Sequence, residues 1–208
     1  MQTIIANFSH IDALVFNQDK TKYSHSHMLA CLRKEGDSIQ SSEGYTVVKD
    51  LQGKPWAYKK SDKDRINPFS VTTSHSYPYV YSGHSRNKDL IGCDVEKIRD
   101  FEDFFLTSFL HPHERSHIDT LDVFLRNEEA TIAWTIKESF LKALGSGLRV
   151  HPKRVDVSSI LLNKKKNIHT VTYDGKSRIC TIVSLEKVGE FIFCFLSMPR
   201  QVQSKCLE

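Results

Sequence analysis

The densest chemistry in the chain lies in one short run, Leu90-Ile91-Gly92-Cys93-Asp94-Val95-Glu96. The run reads as a strand. Side chains alternate faces along a strand, so Ile91, Cys93 and Val95 share a buried side while Asp94 and Glu96 project together from the other. Two carboxylates one pleat repeat apart suit a hard divalent cation, which takes oxygen ligands. A half-exposed strand with an acidic outer face would look the same, so the pair alone decides nothing. A second segment is Trp134-Thr135-Ile136-Lys137-Glu138-Ser139-Phe140-Leu141-Lys142. On a helical projection Glu138 and Lys142 lie one turn apart, opposite the stripe Ile132, Ile136, Phe140 and Leu144. As a surface pair they would contribute only about 0.2–0.5 kcal/mol. As part of a site, Glu138 would join Asp94 and Glu96 on one ion while the lysines face phosphate.

Two weaker signals precede these. Gly53-Lys54-Pro55 by itself is a turn. Ser74-His75-Ser76 by itself is poor support for a hydrolase, because triad partners meet in space and no GxSxG elbow is present. Order and spacing change their weight. GKP, then SHS, then Ile91-Gly92-Cys93-Asp94-Val95-Glu96, then WTIKESFLK followed by Gly145-Ser146-Gly147-Leu148 resembles the 4'-phosphopantetheinyl transferase superfamily, in its single-chain Sfp-type branch. The (I/V)G(I/V)DxE strand and the WxxKExxxK helix with its GxGL sequel are that family's hallmarks. The resemblance covers about residues 53 to 148. The chain departs from the pattern at Thr72, where Asn is common, at Tyr77-Pro78 after SHS, and at Cys93, which replaces an aliphatic residue.

The resemblance implies an enzyme that transfers the 4'-phosphopantetheine arm of coenzyme A to a serine of an apo acyl, peptidyl or polyketide carrier protein. Adenosine 3',5'-bisphosphate would be released. It implies Mg²⁺ held by Asp94, Glu96 and Glu138, with Glu138 also the candidate base and Lys142 the phosphate-stabilising cation. Lys54, Pro55, Ser74, His75 and Lys137 are implied around the nucleotide, together with Lys142. The family's N-terminal basic segment has possible substitutes in Lys20, Lys22, Arg33 and Lys34. Carrier partners of such enzymes are acidic, and Phe104 or Phe105 is expected to help dock one, with core packing as the alternative. Rival readings are a Mg²⁺-dependent phosphodiesterase or nuclease, and a catalytically silent coenzyme A or carrier-binding module. Zinc at His25-Ser26-His27 or His111-Pro112-His113 is disfavoured, since neither pair has a cysteine or third histidine at ligand spacing.

The elements that must position these groups follow from pattern. Expected strands are 69–73, 77–82, 90–96, 168–173, 177–185 and 191–198, with turns at 86–89 and Asp174-Gly175. Short helices broken at His111-Pro112 are expected over 101–127, and a strong one over 128–144 ended by Gly145. The fold class is therefore α+β. The family resemblance adds two similar halves related by a pseudo-two-fold, antiparallel sheets packed with helices, and division into residues 1–87 and 88–208 within a monomer. The chain has 208 residues, 39% hydrophobic and 26% charged, with net charge +4. That suits a globular protein with acidic partners, does not demand nucleic acid, and leaves Lys164-Lys165-Lys166 a solvated loop. The five cysteines show no CxxC spacing, and no leader or membrane-length apolar run is present, so a reduced, cytoplasmic setting is expected.

Overall fold

The computed structural model describes residues 2–8, 11–17, 44–60, 68–85 and 89–200, the first two segments as backbone only. The N-terminal basic candidates, the His25/His27 pair, Cys31 and Cys206 lie outside the described residues. The fold is α+β, built on two antiparallel sheets. The first contains β1 (Gln2–Phe8), β2 (Ile11–Asn17), β3 (Tyr45–Lys49), β4 (Pro55–Lys59), β5 (Phe69–Ser76) and β6 (Tyr79–Ser85), in the order β1-β2-β6-β5-β4-β3. The second contains β7 (Leu90–Lys97), β8 (Val155–Asp156), β9 (Ile168–Tyr173), β10 (Lys176–Val188) and β11 (Phe191–Met198), in the order β7-β11-β10-β9-β8. Chain order therefore changes sheet between Ser85 and Leu90. The described α-helices are α1 (Asp103–Phe109), α2 (Pro112–Ile118), α3 (Val123–Leu144) and the single turn α4 (Ser158–Leu161).

Alternation along β11 explains how the second sheet is covered. Ile192, Cys194, Leu196 and Met198 enter the main core with the Ile132/Ile136/Phe140 stripe of α3. Phe193 and Phe195 face the other way and join Tyr81, Ile91, Cys93 and Val95 in a smaller core. Tyr81 closes that core, its ring edge-on to Phe193 at 5.5 Å and its hydroxyl 2.9 Å from Ser184 Oγ. Aromatic edge contacts of this kind add about 0.5–1.5 kcal/mol to the burial itself.

Helix α3 begins five residues before the expected start. Asp122 caps it, its carboxylate accepting from the main-chain N–H groups of Phe124 and Leu125. The first turn is hidden from periodicity because Val123, Phe124 and Leu125 are exposed. At the other end Gly145 takes φ +80°, the left-handed C-cap that only glycine adopts cheaply. Strand β5 also runs longer than expected. It carries Ser74-His75-Ser76 inside the strand, and the chain reverses at Tyr77-Pro78 instead.

Candidate active site

The joint between the sheets builds the site. The main-chain N–H groups of Ile91 and Cys93, on the open edge of β7, are met by side-chain hydroxyls of β5. Ser70 Oγ accepts from Ile91 at 3.4 Å and Thr72 Oγ1 from Cys93 at 3.1 Å. One step further along the same face, Ser74 donates to Asp94 Oδ1 at 2.6 Å. Thr72, which departs from the family pattern, thus satisfies a buried donor that would otherwise be orphaned. Cys93 keeps the apolar role of its position. It is fully buried, and burial pushes its thiol up to about 12, so it is inert.

The opposite face of β7 meets α3. A Cβ on Gly92 would stand 1.8 Å from Ser139 O and 2.7 Å from Ala143 N, so only glycine lets the helix lie this close to the strand. That approach carries Glu138 and Lys142 to the row that holds Asp94 and Glu96. Lys142 Nζ donates to Asp94 Oδ1 at 2.7 Å and to Ser74 Oγ at 2.9 Å. Burial acts to lower the Lys142 ammonium, but Asp94, Cys93 and Glu138 more than offset it and leave its pKa raised. Glu96 is held by the Trp134 indole N–H at 3.3 Å.

Glu138 is the most perturbed acid of the group. Burial first, then the charges of Asp94 and Glu96, push its carboxyl up to about 7, with Lys142 pulling the other way. Burial and Asp94 raise Glu96 as well. Asp94 Oδ2 and Glu138 Oε1 are both buried, and among the described residues neither has a hydrogen-bond partner. Buried carboxylate oxygens without partners are costly, and several acids pushed together repel. A divalent cation relieves both penalties, and an all-oxygen donor set is what Mg²⁺ takes, so the residues fit the ion. The three acids are neighbours but are not drawn closed. Among the described residues, the group found with ligating atoms within 4.8 Å of one another is a different one, His111, His113 and Asp156.

Beside this cluster opens a cleft of 410 Å³ between the β3–β4 turn and the end of α3, lined among others by Lys49, Pro55, Thr73, Lys142, Gly147 and Arg149. Asp50 shapes the turn by accepting from the N–H groups of Gln52 and Lys54 at 2.9 Å and from the Trp56 indole at 2.8 Å. Arg149 donates to the carbonyls of Gly145 and Gln52, which fixes its guanidinium at the rim.

Several expected site residues stand elsewhere. Lys54 lines the cleft, but its ammonium is buried and donates to Ile91 O at 3.1 Å and Lys142 O at 3.3 Å. It therefore clips β7 to the C-terminal end of α3, where the helix dipole favours a cation. Burial lowers its pKa to about 8, leaving it mostly charged at neutral pH. Lys137 is corrected outright. It is not the nucleotide contact that the resemblance implies. Its side chain is 0% exposed, paired at 2.7 Å with Glu114, also 0% exposed, and it donates to the carbonyls of Phe109, Pro152 and Val155. No hydrogen is left to offer a nucleotide. Ser74 belongs to the Asp94–Lys142 cluster, and His75, its neighbour on the opposite face of β5, is exposed and does not line the cleft. Phe105 is engaged with Phe101 and Trp134, whereas Phe104 is 84% exposed.

Sequence reasoning missed Arg149, Lys49, Trp134 and the hydroxyl ladder of Ser70 and Thr72. Trp134 stands in the hallmark helix and could have been read as the donor to Glu96. The others carried no local signal.

The family model for the 4'-phosphopantetheinyl transferase superfamily matches residues 90–195, half of the chain. The protein belongs to that superfamily. No curated protein matches the chain by sequence. Among solved structures it is similar to the holo-[acyl-carrier-protein] synthase (AcpS) of Thermotoga maritima, at 19% identity and TM-score 0.36. The match covers 54% of this chain and 65% of that one, so this chain spans less than two thirds of that protein's length. A likeness of this size leaves the assignment to the sequence match. Among the described residues, no helix is long and apolar enough to cross a membrane.

Proposed function

We propose that the protein transfers 4'-phosphopantetheine from coenzyme A to a serine hydroxyl of an apo carrier protein, with Mg²⁺ held by Asp94, Glu96 and Glu138. The observation that carries the reading is the pair of buried carboxylate oxygens, Asp94 Oδ2 and Glu138 Oε1, that have no partner among the described residues, beside a cleft bordered by Lys142 and Arg149, in a member of this superfamily. When bound, the ion supplies charge neutralisation at the pyrophosphate.

The chain's own residues supply the rest. Glu138 is assigned the proton of the carrier serine, which one carboxylate oxygen would accept while the other holds the ion. The serine oxygen then bonds to the phosphorus bearing pantetheine. The pyrophosphate P–O bond breaks, and adenosine 3',5'-bisphosphate carries away the bonding electrons. Lys142 lends positive charge to the phosphates, and Ser74 holds both Lys142 and Asp94 in place. Arg149 and Lys49 at the cleft rim are assigned to the nucleotide phosphates, with Pro55 in the wall, while His75, outside the cleft lining, is assigned to the part of the nucleotide that projects beyond it. A planar guanidinium anchored through two carbonyls is well suited to phosphate. Phe104, the more exposed member of its pair with Phe105, is assigned to the carrier surface. Buried free thiols at Cys93, Cys180 and Cys194 suit a reducing, cytoplasmic setting, and a monomer is proposed.

The test is mass spectrometry of a panel of apo carrier proteins incubated with the enzyme, coenzyme A and Mg²⁺. Gain of one phosphopantetheine mass on a carrier supports the reading. Cleavage of coenzyme A or nucleic acid with no carrier modified would replace it with the phosphodiesterase reading.

A further inference from the structure

We propose that His111, His113 and Asp156 form a second cation site, separate from the carboxylate cluster, that takes a borderline divalent metal of the zinc class. In sequence the histidine pair lacks a third ligand. The fold supplies it from 43 residues further along, by laying β8 against the start of α2. Asp156 Oδ2 lies 2.8 Å from His113 Nδ1 and 3.4 Å from His111 Nδ1, and the three ligating atoms fall within 4.8 Å of one another. Tetrahedral zinc, with bonds of about 2.0–2.2 Å to nitrogen and oxygen, spaces its ligand atoms by roughly 3.4 Å. The His111–Asp156 spacing matches that, while the 2.8 Å His113–Asp156 contact is a hydrogen bond that the ion would replace.

A separate observation argues that a cation belongs between them. His111 Nδ1 accepts from the His113 main-chain N–H at 3.4 Å, so it presents a lone pair. The same atom faces a carboxylate oxygen at 3.4 Å. These two acceptors repel unless positive charge sits beside them; His113 Nδ1–H, donating to Asp156 Oδ2 at 2.8 Å, supplies part of it, and a bound ion would supply more. The cap bond lies at the long limit for a hydrogen bond, so its exchange for a metal bond costs little.

Both arms of the site are held by groups behind it. Glu114 accepts from His111 N at 2.8 Å with one oxygen and from Val157 N at 2.8 Å with the other. Asp156 accepts from Ser158 N with Oδ1 at 3.0 Å, which orients Oδ2 toward the two imidazoles. Outer partners of this kind orient ligands and fix their geometry. Two imidazoles and one carboxylate select zinc-like ions over Mg²⁺, which takes oxygen ligands and gives up water reluctantly. Water fills the fourth position, since the His113 side chain is 71% exposed. The ion would tie the start of α2 to β8, on the side of α3 that holds Lys137.

The experiment uses tag-free, EDTA-stripped protein in excess Mg²⁺, so that the carboxylate site is occupied, and titrates ZnCl₂ by calorimetry with parallel thermal melts. One equivalent of zinc and a raised Tm are expected. His113→Gln and Asp156→Asn should each weaken binding by at least about tenfold and abolish the rise in Tm. Because His113 is largely exposed, its variant should fold. No zinc uptake by the parent protein, or uptake unchanged in the His113→Gln variant, overturns the proposal. Neither outcome bears on the transfer reaction, which is read by carrier mass.

Discussion

Lys137 and Glu138 are adjacent on α3 and both are buried, yet their surroundings are opposites. The Lys137 ammonium meets a carboxylate and three carbonyls, and its partner Glu114 accepts from two main-chain N–H groups as well. Burial pushes Glu114 up and Lys137 down, and each is answered by the other's charge. Glu138 faces two other acids, and one of its oxygens has no partner among the described residues. A closed polar network holds a fold together. An open one, kept buried at a cost, is waiting for something to bind.

The largest effect should come from the open side. Glu138→Gln is expected to lower transfer to carrier by about 10²–10⁴-fold while the melting curve stays cooperative and no less stable. A rate within a few-fold of the parent would put the base elsewhere. On the closed side, Lys137→Ala strands a buried carboxylate and should cost about 3–5 kcal/mol in denaturant unfolding. Lys137→Met combined with Glu114→Gln removes both charges, and should recover much of that loss with the KM for coenzyme A unchanged. A raised KM in the folded double variant would return Lys137 to the nucleotide.

The next effect is a pH dependence. A carboxyl near 7 in the native chain, against 4.5 when unfolded, keeps its proton longer in the native state. Between those values the native state binds more protons, so metal-free stability falls as pH rises, by on the order of 3 kcal/mol in all. Glu138→Gln should flatten that part of the profile, and Mg²⁺ should restore stability at the alkaline end. Identical profiles for parent and variant would remove Glu138 from the perturbed cluster. The smallest effect is expected where neither face of α3 is disturbed. Phe104→Ala should leave Tm within about 0.5 kcal/mol equivalent of the parent and raise the KM for carrier protein. An unchanged carrier KM would free that surface of any docking role.

Much of the site was written locally. Alternation placed Asp94 and Glu96 on one face of a strand, helical spacing set Glu138 one turn from Lys142, and Gly145 marked the end of the helix. The α+β class and the family resemblance followed from these motifs. Lys137 was beyond such reasoning, because projection shows which direction a side chain leaves its helix and not whether another element covers it. Here α3 is packed on both sides, by β7 near Glu138 and by the segments around Phe109 and Val155 near Lys137. For the same reason Lys54 reads as a turn lysine in sequence and becomes, in the fold, the clip between β7 and the helix end.

The sequence by itself determined which carboxylates and lysines share a strand face or a helix turn, since strand and helix periodicity are local properties. Tertiary structure alone decided which of them are free to act. Asp156 reaching the histidine pair, Arg149 reaching the cleft and Glu114 neutralising Lys137 all depend on contacts between residues far apart in the chain. Whether a buried charge is satisfied depends on every element around it, and no short segment contains that information.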